Sequence, residues 1–359
     1  MTTSAGPFDY VHSVEHFAQS LGTTLATLNA ARSLTISGDA YERRTVVVHQ
    51  KTRTLAIPKG VVKAIQGRIN DFLWPLSRSL NPCCHGYVPG CSTVTNASAH
   101  CGRTWVQRLD IRDFYPSTDM SNVTDALIRW GASATVANMI ADLTTDKGTL
   151  PLGSPSSPII SNLILHPVDV ALLSAAEQRG LTYTRYADDL TFSGHAPFDV
   201  TIEVESALGP HGYTINPDKN QVRKRGQRIL VTGLTVAELD RPRLPKQFKR
   251  RLRQEVYFVE RFGLEGHCSR RYSWPWIADD DEERQVFHSR RHLQGKLHYA
   301  MGVEPLWTKR VLASYPVAAA TLFPPSDGGA DPRQLALVGL AQAIRARPPV
   351  PLSQQPRRL

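Results

Sequence analysis

Residues 183–193, Tyr-Thr-Arg-Tyr-Ala-Asp-Asp-Leu-Thr-Phe-Ser, hold two short β-like runs on either side of Ala187-Asp188-Asp189, which reads as a hairpin with two carboxylates at its tip. Acidic groups at a tight turn between apolar strands cost folding energy unless they bind something, and a divalent cation is the obvious candidate. Residues 105–113, Trp-Val-Gln-Arg-Leu-Asp-Ile-Arg-Asp, read as another strand. Trp105, Gln107, Leu109 and Ile111 take one face of it, and Val106, Arg108 and Asp110 the other. Three carboxylates from neighbouring strands, Asp110, Asp188 and Asp189, suit two Mg²⁺ ions about 3.5–4 Å apart, with Mn²⁺ able to substitute. One metal would activate an attacking oxygen and the other would stabilise a leaving oxygen, the arrangement of in-line phosphoryl transfer.

Charge agrees with a phosphate-bearing partner. Across 359 residues, 42 Lys+Arg stand against 32 Asp+Glu, a formal charge of +10. That excess favours a polyanion over an acidic protein or a neutral metabolite. Five scattered cysteines do not suit a secreted disulfide framework, and Asp9 and Glu15 interrupt any leader-like apolar run. No window approaches a 20-residue apolar span. The sequence therefore predicts a cytoplasmic protein without a membrane partner.

Periodicity predicts a helical start over about 10–30 and a β-rich stretch at 45–57 ending at Pro58. A helix follows, carrying Val61, Val62, Ile65, Ile69, Phe72 and Leu73 on one stripe. From 105 to 240 β-rich and helical runs alternate, an α+β pattern. Residues 241–253 then place seven basic residues in 13 positions without an acid. Pro245 can open a helix there. Phe248, Leu252, Val256 and Val259 would be its buried stripe, with Lys249, Arg250, Arg251 and Arg253 on the other faces, as a solvated surface or as contacts to phosphate. From 323 the chain reads as a Pro-rich linker, one short helix over 335–344 and a tail. Cys83, Cys84, His85, Cys91 and Cys101 lack a CxxC pair and read as core thiols rather than a zinc site. His288 and His292 read as a basic helix face, and Asp279–Glu283 as a solvated loop.

Tyr186-Ala187-Asp188-Asp189 resembles the YxDD box of reverse transcriptases. Asp110-Ile111-Arg112-Asp113-Phe114-Tyr115 resembles their first palm motif, and Leu150–Pro158 their LPQGxxxSP segment. Lys51-Thr52-Arg53 with Pro58 is similar to the fingers motif, and Ile215–Lys219 to the fourth palm motif, all in the family's order. Asn96-Ala97-Ser98-Ala99-His100 and Val231-Thr232-Gly233 match the NAxxH and VTG elements of the retron type, and Leu293–Tyr299 resembles the retron thumb. The resemblance spans residues 41–302.

It implies an α+β right-hand polymerase. Residues 1–104 would form the N-terminal region and fingers, 105–240 the palm with a fingers insertion at 118–150, 241–322 a helical thumb, and 323–359 the tail. Asp110, Asp188 and Asp189 would bind the metals with the Ile111 carbonyl, one of the paired aspartates binding directly and the other in support. Lys219 would donate a proton to departing pyrophosphate. Lys51 and Arg53 would grip the triphosphate, and Tyr115 would exclude a 2′-OH. Gly153 would let backbone approach the nucleotide, while Leu152 replaces the family's Gln. Asn96, His100, Lys249, Arg250, Arg251 and Arg253 would contact nucleic acid. Expected partners are dNTPs, a cognate structured non-coding RNA and its branched RNA–DNA product begun from the 2′-OH of a guanosine, and a separate effector protein in defence against phage. The alternatives are another bacterial lineage (abortive-infection, group II intron-like or diversity-generating) and a catalytically silent RNA-binding scaffold.

Overall fold

The computed structural model describes residues 6–48, 51–271 and 282–324. The chain divides into two compact units, Met1–Pro242 and Arg243–Leu359. The expected tail helix at 335–344 lies outside the described residues, as does the acidic run except for Glu282 and Glu283 at the start of a helix.

The first unit opens with two helices where periodicity predicted one, α1 (Val14–Ser20) and α2 (Leu25–Ser37). The break follows from Gly22 at φ 62° and from Thr24, whose hydroxyl accepts from Thr27 N and restarts the helix. The β-rich stretch is an antiparallel hairpin, β1 (Tyr41–Val48) and β2 (Lys51–Pro58), pairing Tyr41 with Pro58. Exposed Glu42, Arg43 and Arg44 had hidden the start of its first strand from the pattern. α3 (Gly60–Leu73) buries Val62, Ile65, Ile69 and Leu73, the stripe that its spacing predicted. A short α4 (Thr93–Ser98) is closed by a Ser92/Thr95 capping box.

β3 (Trp105–Asp110) leads through α5 (Met120–Arg129) and α6 (Ala134–Thr144) to the long α7 (Ser157–Gln178). Then come β4 (Thr182–Tyr186), β5 (Asp189–Gly194), α8 (Thr201–Leu208), β6 (Gln221–Lys224) and a hairpin of β7 (Leu230–Val231) and β8 (Leu234–Thr235). The central sheet runs β4-β5-β3-β6, every pair antiparallel. On β3, wholly buried Gln107 donates to Asp199, Thr201 and Asn220 and accepts from Val200 N. Its polar atoms are thus satisfied on the buried face, which leaves Arg108 and Asp110 to the other.

α7 overturns one expectation. It is the one helix among the described residues long and apolar enough to cross a membrane. Most of it is nonetheless buried inside the protein, with Ile159, Ile160, Leu163, Ile164 and Leu172 in the core. It is 22 residues long, with Pro167 inside it.

The second unit contains α9 (Lys246–Arg271), α10 (Glu282–Val303), α11 (Pro305–Ser314) and α12 (Pro316–Leu322). Leu252, Val256 and Val259 of α9 are buried as predicted, and Phe248 packs edge-on against Tyr299 of α10. Glu255 pairs with Lys296 at 2.9 Å, and Glu260 accepts from Ala318 N.

Candidate active site

Strand register brings the three predicted carboxylates together. Asp110 at the end of β3 pairs directly with Asp189 at the start of β5, and Asp188 precedes it in the β4–β5 turn. Ile111 N donates to the Asp188 carbonyl, and Asn216 N to the Asp110 carbonyl, so the fourth palm motif closes over the first. Burial, followed by the charges of Asp110 and Asp189, pushes the Asp188 carboxyl up to about 6. Burial also raises that of Asp189, against the pull of Arg108.

Crowded carboxylates need a cation. The Lys219 ammonium bonds Asp110 Oδ2, and Arg108 Nη2 lies 3.3 Å from Asp189 Oδ1. The oxygen donor set fits a hard divalent ion. Among the described residues, no group of three or more His, Cys, Asp or Glu side chains is placed to hold a metal ion by itself. Mg²⁺ in general keeps waters and substrate phosphates among its ligands. Asp110, Asp188, Asp189 and the Ile111 carbonyl are the groups that would hold it.

The turn that carries Asp188 is held by a network that pattern reading missed. Ala187 adopts φ 56°, a left-handed conformation that costs a non-glycine residue energy. Its carbonyl accepts from Nη1 of Arg185 at 3.0 Å. Arg185 is wholly buried and grips Asp169 of α7 bidentately, Nε–Oδ1 at 2.8 Å and Nη2–Oδ2 at 2.6 Å. It also donates to Asn162 Oδ1 and contacts Cys84 Sγ. Gly86 seals the outer side. A Cβ there would meet Ala187 N at 2.5 Å, so only glycine fits against the turn.

A cleft of about 550 Å³ opens beside Asp110 and Asp188 and runs up to the β1–β2 hairpin, with Arg53, Tyr115 and Lys219 in its lining. Burial holds the Tyr115 hydroxyl protonated beyond its ordinary range. Tyr87 also lines the cleft at φ 59°, as does Asp113 at φ 43°, so left-handed residues gather around the site. Lys51 opens β2, but its side chain lies outside the described residues. Gly153 is exposed at φ +118°, and its missing Cβ accommodates the Ala56 carbonyl of β2, 3.1 Å from where a Cβ would stand. Leu152, whose carbonyl accepts from Ala56 N, lines the cleft.

Two further expectations change. Asn96 and His100 are wholly buried, so neither side chain can touch a nucleic acid. The His100 ring bonds Thr184 Oγ1 of β4 and Ser193 Oγ of β5, both at 2.7 Å, clamping the hairpin that carries the catalytic turn. α4, just before His100, meets the Val231-Thr232-Gly233 turn, where Thr232 Oγ1 donates to the Thr93 carbonyl. In the second unit Lys249 is paired with Glu304 at 2.7 Å and lies over the Trp307 ring, so it is engaged internally. Arg250, Arg251 and Arg253 are exposed. Cys83, Cys84 and Cys268 are buried core thiols, and Cys91 and Cys101 are half-buried.

A sequence profile of the family described as reverse transcriptase (RNA-dependent DNA polymerase) matches residues 43–236, more than half of the chain. The retron Mx65 reverse transcriptase of Myxococcus xanthus is 36% identical over 245 residues, covering 60% of this chain and 56% of that protein. The retron Mx162 reverse transcriptase of the same organism is 33% identical, covering 57% and 49%. The retron Ec86 reverse transcriptase of Escherichia coli is 32% identical over 193 residues, covering 53% and 60%. The chain thus spans about half the length of the curated relatives it matches. Membership carries with it the α+β right-hand polymerase fold class and an implied dependence on a divalent metal. With the aspartates of the YxDD box and of the first palm motif brought face to face on paired strands, the chain belongs to the reverse transcriptase family.

Proposed function

We propose that this protein is an RNA-directed DNA polymerase that copies a cognate structured non-coding RNA into branched single-stranded DNA. The observation that carries the reading is the pairing of Asp110 with Asp189, beside Asp188, at the edge of a cleft whose walls supply Arg53 and Tyr115. Bound divalent ions would supply Lewis acidity for in-line nucleotidyl transfer. The chain's own groups do the rest. Arg53 grips triphosphate oxygens, Tyr115 fills the space of a 2′-OH, and Lys219 is released from Asp110 to face the departing pyrophosphate. Asp188, whose carboxyl binds protons more tightly than an ordinary aspartate, would hold a metal in its ionised form.

The second unit, with exposed Arg250, Arg251 and Arg253 on α9, acts as the thumb over the template–product duplex, and residues 1–104 with α5 and α6 make up the fingers. The further reading, that synthesis begins from an RNA 2′-OH and that a separate effector protein takes part in antiviral defence, rests on the resemblance of the sequence motifs to the retron type. The test is to sequence nucleic acid copurifying with wild type and with Asp188→Asn. Wild type should carry one abundant RNA covalently joined to its DNA copy. The variant should carry the RNA alone, since removing a charged ligand disables transfer while RNA affinity rests on Lys/Arg contacts. DNA in the Asp188→Asn sample would overturn the assignment, and extension of any annealed primer without an RNA preference would favour another lineage.

A further inference from the structure

The buried stripe of α3 holds one residue that its apolar spacing does not ask for. Gln66 stands among Val62, Ile65, Ile69 and Leu73, and its side chain is wholly buried. The amide makes three hydrogen bonds to three segments distant in the chain. Its Nε2 donates to the Tyr41 hydroxyl of β1 at 2.7 Å and to the Leu143 carbonyl of α6 at 2.8 Å. Its Oε1 accepts from the Ser154 hydroxyl at 2.6 Å. Leu143 is among the carbonyls at the end of α6 that a helix leaves without a donor, since the chain turns away at Lys147 with φ 52°. The Tyr41 hydroxyl carries the link on to the Thr145 carbonyl at 3.3 Å.

Stability alone does not select an amide here, because an apolar side chain of similar volume would fill the stripe. Buried hydrogen bonds add little net energy but cost much when one is missing. A fully satisfied network therefore fixes where its members stand more than it strengthens the fold. What it fixes here is the segment from Leu150 to Ser154. Leu150, Pro151 and Leu152 line the cleft beside Asp110. Two backbone ties hold that lining: the Leu152 carbonyl accepts from Ala56 N of β2, and the Pro151 carbonyl from Ser157 Oγ, both at 2.8 Å. Ser154 adds a third tie, through Gln66 to α3, β1 and α6 together. The carboxylates are held separately, by strand pairing and by the Arg185–Asp169 pair, neither of which includes Gln66.

We infer that Gln66 is a positioning residue for the incoming nucleotide, acting through Ser154 to set the Leu150–Leu152 wall of the cleft against the β1–β2 hairpin. The inference rests on the polymerase reading, in which this cleft receives a dNTP. The wall meets the nucleotide away from the reacting atoms, so a displaced wall weakens ground state and transition state alike. Such a loss raises KM and leaves kcat in place. A residue needed only for folding would lower the melting temperature and leave KM in the folded protein unchanged.

The test uses the full chain to extend a DNA primer on an RNA template by one nucleotide, over a range of dNTP concentrations and below the melting midpoint of every variant. Gln66→Met, close in volume and without the amide, should raise KM about tenfold, the factor that one net hydrogen bond is worth, with kcat within about twofold of wild type. Ser154→Ala cuts only the tie to the wall and should reproduce most of that rise. The double variant should exceed Gln66→Met by less than about twofold, because both changes remove one interaction. Ile69→Val weakens packing on the same helix without touching the network, and it should melt earlier than wild type while keeping the wild-type KM. An unchanged KM in Ser154→Ala, or an equal rise in Ile69→Val, overturns the role of Gln66, and Ser154→Ala decides even where Gln66→Met does not fold. Wild type that extends while the variants keep its KM refutes this inference alone. Wild type that extends no primer overturns the polymerase reading and this inference with it.

Discussion

Replacing Asp169 with Asn should unfold the first unit far more readily than a surface substitution and should show whether Arg185 positions the catalytic turn. Both side chains of the pair are at 0% exposure, joined by two short charged hydrogen bonds. Asn keeps the shape of Asp but removes its charge, leaving the guanidinium buried with neutral acceptors only. Breaking a buried pair from one side costs about 3–5 kcal/mol. For a unit of this size that lowers the melting temperature by on the order of 10 °C. Thermal denaturation followed by circular dichroism measures it, and a shift below about 2 °C would refute the assigned burial.

A second variant separates stability from positioning. In Asp169→Leu with Arg185→Met the charges disappear together, and apolar replacement of a buried pair is commonly neutral or stabilising. Melting should recover most of the loss. Primer extension should not, because nothing then donates to the Ala187 carbonyl at the left-handed turn. A double variant that melts and polymerises like wild type would show that the turn holds itself.

Tyr115→Ala should raise ribonucleotide incorporation relative to deoxyribonucleotide on a common primer by at least tenfold, the scale at which a site discriminates by fit; an unchanged ratio would make Tyr115 a packing residue. Changing Arg250, Arg251 and Arg253 to Gln should lower the salt slope of duplex binding by about one unit for each phosphate no longer neutralised, with Leu252, Val256 and Val259 keeping the helix folded. An unchanged slope returns these residues to a solvated face. Burial lowers the His100 pKa from 6.5 to about 3. Above pH 6.5 both folded and unfolded chains carry a neutral ring, so the contribution is complete there. As pH falls the unfolded chain takes up the proton first, and stability declines toward pH 3. Between pH 7 and 5 the loss is about 2 kcal/mol, visible in urea midpoints. An equal decline in His100→Gln would assign the effect to other groups.

Local pattern was enough for β3, the carboxylate hairpin and the α3 stripe, because alternation and three-four spacing are properties of neighbouring residues. The aspartate trio followed from the same signals. Contacts between distant segments were not legible. Arg185 and Asp169 are 16 residues apart on different elements, and Lys249 meets Glu304 across 55 residues, so nothing local distinguishes either from a surface charge. Resemblance misled for Asn96 and His100, since a motif that marks a lineage can mark its framework as readily as its ligand contacts. The alternation on β3 did place Arg108 on the face of Asp110, but its partner Asp189 lies 81 residues away on β5, which only the fold brings near.

One consequence of α7 concerns the time before the protein is complete. Its apolar surface packs on α3 and α5, which precede it, and on β4 and α8, which follow. At roughly 5–20 residues per second, the stretch from Gln178 to the end of α8 takes a few seconds to synthesise. During that interval a nascent segment with the length and apolarity of a bilayer-spanning helix is only half covered. What sets it apart from a membrane anchor is Asp169 near its middle, where a carboxylate costs about 2.5–3.5 kcal/mol to insert. The residue that later holds the catalytic turn therefore also steers the unfinished chain away from lipid.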